Sequence, residues 1–191
     1  MTRIVAGRWR GRRLVVPRRG VRPTADRVRE AVFNWLDHRL PEWEATRVLD
    51  LYAGSGALGL EAISRGAMGA VLVERDRAAL AAIRRNIESL SAGDEAVIRS
   101  GEVLKVAAGS PVLSHIVFAD PPYDVPASQI AAVLDAFVSG GWTAADALFV
   151  VETDVRCASP WPLGVSALQR RPYGDTAVWY GRRHTPSSGS E

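Results

Sequence analysis

One junction constrains this chain more than any other: an apolar strand that runs through glycines into a helix. Val48-Leu49-Asp50-Leu51-Tyr52 reads as a strand, Ala53-Gly54-Ser55-Gly56 as a loop, and residues 57–65 as a helix ending near Gly66. Glycine permits a tight turn and close backbone approach, and a helix N-terminus offers N–H groups to a polar ligand. The strand–helix rhythm then repeats. Strands are predicted at Ala70–Glu74, Ala96–Ile98, His115–Ala119 and Ala147–Glu152. Between them come a helix over 77–90 capped by Asp76, a weak helix after Gly101, and a helix over 127–138. Residues 163–170 and 176–182 read as a closing pair of strands, with Tyr173-Gly174-Asp175-Thr176 as their turn. Such alternation implies an α/β fold, a parallel sheet covered on both faces and doubly wound by right-handed crossovers. Ligands in such folds bind at the carboxyl ends of the strands, beside the switch point.

The charge is informative once divided. Over 191 residues the net charge is +3. Residues 1–29 carry ten arginines and one acid, Asp26, leaving 14 basic against 20 acidic residues, a balance of −6, in the remainder. A basic head on an acidic body points to a polyanion bound at the head. Residues 3–7 and 12–16 are short apolar stretches around Arg8-Trp9-Arg10-Gly11, which reads as a β-hairpin with an arginine-rich loop. Arg3, Arg8, Arg10, Arg12, Arg13 and Arg27 are candidate phosphate contacts, which set affinity rather than sequence choice. Trp9 either stacks on a base or covers the hairpin on the body. Pro17 to Pro23 is a linker, Thr24 a helix N-cap, and residues 25–38 an amphipathic helix. The expected division is a basic hairpin extension at 1–23, a catalytic domain at 24–184 and a disordered tail at 185–191.

The loop itself speaks to a ligand. Glu74 ends the strand after the loop, where a carboxylate can accept both hydroxyls of a ribose. Residues 54–59 match G-x-G-x-x-G, a pattern common to dinucleotide enzymes and methyltransferases. Asp50, inside the strand end, can accept a hydrogen bond from an amino acid's ammonium, which S-adenosyl-L-methionine has and NAD lacks. His115-Ile-Val-Phe-Ala-Asp120-Pro121-Pro122-Tyr123 then delivers an acid, two prolines and an aromatic to a strand's carboxyl end. Prolines fix φ and present carbonyls rigidly. Asp120 and the Pro121 carbonyl can each accept a hydrogen bond from one –NH₂ group. Two such acceptors aim the lone pair of a poorly nucleophilic exocyclic amine at a methyl donor and disperse developing positive charge. Tyr123 can stack on the base, a contact of roughly 1–3 kcal/mol.

These motifs together resemble the bacterial 16S rRNA guanine-N2 methyltransferases of the RsmD type, from Arg3 to about Arg182. Arg3-Ile-Val-Ala-Gly7 and Gly11-Arg12 are similar to the family's opening hairpin. The stretch from Arg22-Pro23-Thr24 to Phe33-Asn34 is similar to its signature helix. Asp50-Leu-Tyr-Ala-Gly-Ser-Gly and Asp120-Pro-Pro-Tyr123 match its cofactor and catalytic motifs. The resemblance implies a Rossmann-like class I methyltransferase sheet of about seven strands, the last antiparallel. It implies methyl transfer to N2 of guanine 966 of 16S rRNA, in the small subunit or its assembly intermediate. It implies that Asp50, Gly54 and Gly56 surround the methionine portion, that Glu74 holds the ribose, and that Thr24 and Arg27 lie near the cofactor mouth. Tyr52, Ser55 and Arg75 complete the candidate cofactor set, beside Asp120. One place departs: such enzymes often carry Asp or Asn after the third strand, and here stands Arg99-Ser100-Gly101-Glu102-Val103. Glu102 is the candidate in that role, with a backbone N–H as the alternative.

Other features set limits. No apolar run reaches the ~20 residues needed to cross a bilayer. No secretory signal follows the basic start, and the single Cys157 leaves no intramolecular disulfide. A cytoplasmic monomer is expected. His38, His115 and His184 have no ligand spacing, so no metal is expected, and Cys157 has no paired histidine for nucleophilic catalysis. The rivals are an adenine-N6 DNA methyltransferase, a non-catalytic assembly protein that binds RNA and cofactor, and a small NAD-dependent oxidoreductase.

Overall fold

The computed structural model describes residues 2–17, 25–40 and 42–184. Thr24, the linker arginines Arg18, Arg19 and Arg22, and the tail at 185–191 lie outside the described residues. Among them one sheet holds β1 (Arg47–Leu51), β2 (Gly69–Glu74), β3 (Ala96–Ser100), β4 (Ser114–Ala119), β5 (Thr143–Asp154), β6 (Val165–Tyr173) and β7 (Thr176–Arg183). The helices are α1 (Ala25–Asp37), α2 (Ala57–Ser64), α3 (Arg77–Leu90), α4 (Val103–Ala107) and α5 (Ala127–Ser139). The strand order is β3-β2-β1-β4-β5-β7-β6. Strands β1 to β5 pair in parallel, and β7 runs antiparallel to both β5 and β6. From β1 the chain winds outward through β2 and β3, then returns to place β4 on the other flank of β1. The switch point therefore lies between the carboxyl ends of β1 and β4.

Alternation along the strands separates two cores. Val48 faces one layer with Ile116, Phe118, Leu148 and Val150, which α1, α2 and α3 cover through Phe33, Leu36, Leu60, Ile63 and Ile83. Leu49 and Leu51 face the other with Val117, Phe149 and Val151. There Ile130, Val133, Leu134 and Phe137 recur at helical spacing and lay one stripe of α5 on the sheet. Both faces being dry explains why the central strands read as unbroken apolar runs.

Element ends differ from expectation in instructive places. Tyr52 leaves β1 because its backbone turns to φ 62, a region non-glycine residues rarely adopt. β5 begins at Thr143 rather than Ala147: Ser114 pairs with Thr143, and the ladder then shifts register before Ile116 meets Leu148. An irregular ladder hides such a start from any periodicity. β3 continues to Ser100 because Glu74 pairs with it, although Arg99 and Ser100 are exposed. β6 begins at Val165, and Leu163 is almost fully exposed ahead of it. No helix among the described residues is long and apolar enough to cross a membrane.

The basic head folds onto this layer rather than standing beside it. Its two arms form a narrow antiparallel loop with a single bridge, Arg3 to Arg13, instead of two regular strands. The Ile4 N–H donates to the Arg12 carbonyl at 2.9 Å and the Gly11 N–H to the Ile4 carbonyl at 2.9 Å. Ile4 and Leu14 are buried in the α1–α3 core. Helix α2 holds the first arm. The fully buried Glu61 carboxylate accepts the Val5 and Ala6 N–H groups at 2.7 and 2.9 Å, and Arg65 Nε at 3.0 Å. The Ser64 hydroxyl donates to the Ala6 carbonyl at 2.6 Å, while the Ser64 carbonyl accepts the Arg8 N–H at 2.8 Å. Gly7 makes this approach possible: its φ is 79, and a Cβ there would stand 1.8 Å from the Ser64 carbonyl oxygen. Gly7→Ala should therefore lower stability by about 1–3 kcal/mol from backbone strain alone, with the clash added. For a chain of this size that lowers Tm by at least ~2–4 °C per kcal/mol. An unchanged thermal midpoint would contradict the docked head.

Candidate active site

Three carboxyl groups gather at the strand ends beside the switch point. Asp50, on β1, is buried, and its Oδ2 accepts the Gly59 N–H at 3.0 Å. That bond needs glycine: a Cβ on Gly59 would lie 2.3 Å from Leu72 Cδ2 and 3.2 Å from Ala70 Cβ. Burial pushes the Asp50 carboxyl up to about 7; the Gly59 N–H opposes this, and the charges of Asp120 and Glu74 add to it. Glu74, ending β2, binds the loop. Its Oε2 accepts the Gly54 N–H at 2.8 Å, and its Oε1 accepts the N–H groups of Arg75 and Asp76 at 2.7 and 2.8 Å. Gly54 and Gly56 stand at φ 58 and 77, and the Gly56 N–H closes the turn on the Ala53 carbonyl at 2.7 Å. Gly56 caps α2 without any side-chain hydrogen bond. Tyr52 is half-buried beside this loop, and desolvation raises its phenol against the opposing charge of Arg75.

Across the switch point, β4 ends in the proline motif. Asp120 is exposed and Pro121 buried, Pro122 is exposed and Tyr123 half-buried. The Val125 N–H donates to the Pro122 carbonyl at 3.1 Å, which closes the turn into α5. The Tyr123 and Thr176 hydroxyls share a short hydrogen bond. Thr176 is buried at the start of β7. The Tyr173–Thr176 turn forms as expected, with Gly174 at φ 61, but it also braces the motif through Thr176. A contact spanning 53 positions leaves no local sequence signal.

Glu102 occupies the N-cap position of α4 and makes no capping bond; it pairs with Arg75 at 3.4 Å in the open. Such an exposed pair contributes little to stability. Ser55 enters the site through its backbone: its carbonyl accepts Asn86 Nδ2 at 2.9 Å. Asn86, fully buried on α3, was not among the residues the sequence singled out.

The head arginines divide. Arg3 and Arg10 join Arg27 and Glu30 of α1 along one cleft of about 390 Å³. Arg29, also unsingled by sequence, is buried on α1 and donates to the Arg3 carbonyl, tying the helix to the head. Arg8 pairs with Glu95 and lies 4.1 Å over the Trp9 ring. Arg12 donates to the Ser89 carbonyl at 2.6 Å, and Arg13 is exposed. Trp9 is partly buried against the α1–α3 core, so in this arrangement it covers the hairpin.

The strand order, the glycine loop and the crossover define a Rossmann-like class I methyltransferase fold. A family model described as conserved hypothetical protein 95 matches residues 2–182. "Ribosomal RNA small subunit methyltransferase D" of Escherichia coli (strain K12) is 44% identical over 160 residues, 83% of this chain and 77% of that protein. The Haemophilus influenzae protein of the same name is 38% identical over 157 residues, 80% of this chain and 78% of that one. The solved Escherichia coli protein yhhF superposes with a TM-score of 0.84 at 38% identity, covering 96% of this chain and 98% of its own. The chain belongs to this family, that of the RsmD-like rRNA methyltransferases.

The buried Asp50 gives a stability test. Its carboxyl titrates near 7 in the folded chain and at 3.8 when unfolded, so between those values the folded state holds the proton more tightly. Stability from this group is then lost as pH rises from about 4 to about 7, by on the order of 4 kcal/mol in full. Asp50→Asn keeps an oxygen for the Gly59 N–H and removes the charge. It should raise the thermal midpoint relative to the native chain several-fold more at pH 8 than at pH 4.5. An equal effect at both would show that Asp50 does not carry a buried charge.

Proposed function

We propose that this protein transfers a methyl group from S-adenosylmethionine to N2 of a guanine in 16S ribosomal RNA, presented by the small subunit or its assembly intermediate. What carries the reading is Asp120-Pro121-Pro122-Tyr123, directly across the switch point from the glycine loop. The relatives' names, which specify a ribosomal RNA small subunit methyltransferase, support the substrate class.

The cofactor can be tested against the site. S-adenosylmethionine carries a ribose, an amino acid and two positive charges. Glu74 ends β2, where its carboxylate would accept ribose hydroxyls, and Gly56 gives α2 no side-chain cap, although Asp50 already holds the Gly59 N–H. Burial is the main cause that raises Asp50, and the charges of Asp120 and Glu74 add to it; a cation beside these carboxyl groups would oppose that added part. The residues fit. Asp50, Gly54, Ser55, Gly56 and Glu74 would hold the group, with Tyr52 beside it and the Arg75–Glu102 pair at its rim. When bound, it supplies an electrophilic methyl on a sulfonium. No metal or covalent enzyme intermediate is needed for such a direct transfer.

The rest falls to the protein. Asp120 and the Pro121 carbonyl accept the two hydrogens of the guanine amine and orient its lone pair. The proline pair keeps that carbonyl fixed, and acceptors set in advance spend no reorganisation energy as charge develops. Tyr123, braced by Thr176, gives the base a stacking face. Arg3, Arg8, Arg10, Arg12, Arg13 and Arg27 meet the RNA phosphates, and contacts of that kind hold the strand while the motif reads the base. The two parts divide as a basic head and a catalytic body.

Purified protein with methyl-labelled S-adenosylmethionine should label N2-methylguanosine in small subunits from a strain lacking the modification. Naked 16S RNA should be the poorer substrate. Asp120→Ala should cut the rate by at least ~10²-fold while cofactor affinity stays within a few-fold of native, on the scale of losing one preorganised transition-state contact. Label in N6-methyladenine on DNA, or no label with cofactor bound, would overturn the assignment.

A further inference from the structure

We propose that Asn86 is a positioning residue that couples RNA on the basic cleft to the conformation of the cofactor loop. The inference rests on the functional reading above and adds a mechanism to it.

Asn86 is fully buried on α3 and spends its amide on two distant segments. Its Oδ1 accepts the Val15 N–H at 2.7 Å, and its Nδ2 donates to the Val15 carbonyl at 2.8 Å. That pair copies one rung of a β-ladder and anchors the second arm of the head. The other Nδ2 hydrogen goes to the Ser55 carbonyl at 2.9 Å, inside the glycine loop. An amide nitrogen has two hydrogens, so both donors are committed.

The Ser55 carbonyl and the Gly56 N–H share one peptide plane. Glycine at φ 77 leaves that plane able to turn over at little steric cost. Two bonds fix it: Asn86 on the carbonyl side, and Gly56 N–H to Ala53 on the other. The direction of this plane sets where the first N–H groups of α2 point. Asn86 therefore holds the glycine loop in the orientation observed, and it is itself held in place by the docked head.

RNA enters through the cleft. Arg3 and Arg10 come from the head, while Arg27 comes from α1 beside the one acidic lining residue, Glu30. The three line one cleft only while the head is docked. A phosphate spanning them binds the docked arrangement better than a displaced one, and a ligand shifts an equilibrium by its differential affinity. RNA then favours the docked head, the seated Asn86 and the ordered loop. Reciprocity follows: cofactor must strengthen RNA binding by the same factor.

The test uses the full chain, the unreactive product S-adenosylhomocysteine and a 16S RNA fragment containing the target loop. Affinity for S-adenosylhomocysteine is measured by calorimetry with and without RNA. RNA should tighten it about five- to ten-fold, at the lower end of typical couplings. Asn86→Ala should bring that factor to near one while RNA affinity measured without cofactor falls by less than the coupling. In the native chain, RNA alone should slow hydrogen exchange at the amides of residues 55–57, a readout independent of any variant's folding. RNA that binds without changing cofactor affinity or loop exchange would overturn the coupling and leave the functional reading intact. RNA that does not bind at all would overturn the coupling, while the labelling of small subunits decides the functional reading separately.

Discussion

The hydrogen bond from the Gly59 N–H to the buried Asp50 carboxylate is the constraint on which the site depends. It fixes helix α2 against the end of β1 at a distance where a Cβ on residue 59 would force Leu72 to move and would crowd Ala70. Once α2 is seated there, its N-terminus faces the switch point and the loop glycines must turn through positive φ to reach it. The cost is electrostatic. A carboxyl this deep, beside Asp120 and Glu74, is held near neutrality at about 7. Burial raises a carboxyl in this way because it disfavours the charged form.

A second buried carboxylate does a different job on the same helix. Glu61 faces away from the switch point and gathers the Val5 and Ala6 N–H groups together with Arg65. Its charge is compensated by donors on both sides, and burial of a charge is tolerable under that condition. One short helix therefore starts at the glycine loop and grips the head along its flank. Arg29 and Asn86 repeat the arrangement from α1 and α3, each spending a buried polar side chain on head backbone. The head is thus part of the same hydrogen-bonded unit as the loop.

How much of this the sequence revealed follows from the range of each interaction. The α2 and α3 helices and the β1-to-β5 alternation were legible because periodicity and caps are local, and Asp76 does accept the Ala79 N–H at 2.8 Å; the antiparallel last strand came from the family resemblance instead. The glycine loop and Asp120–Tyr123 were legible because each compresses its chemistry into a few neighbouring residues. Asn86, Thr176, Glu61 and Arg29 were not. On a helix pattern Asn86 and Glu61 are merely polar positions, and their partners lie 71 and 56 positions away along the chain. The early start of β5 was hidden for a related reason: a register shift breaks the alternation that would have announced it.

The division of charge acquires a physical sense once it is placed on the fold. Three arginines and one acid, Glu30, line the cleft between head and α1, while carboxyl groups lie at the strand ends of the site. In the proposed reading these opposite potentials sort one substrate into its parts. Phosphates are drawn to the arginines and repelled from the carboxylates, so the strand backbone stays at the rim. A base is neutral, pays no such penalty, and can turn inward to the prolines and Tyr123. The same negative floor that rejects phosphate suits a cationic methyl donor, and transfer abolishes the sulfonium charge.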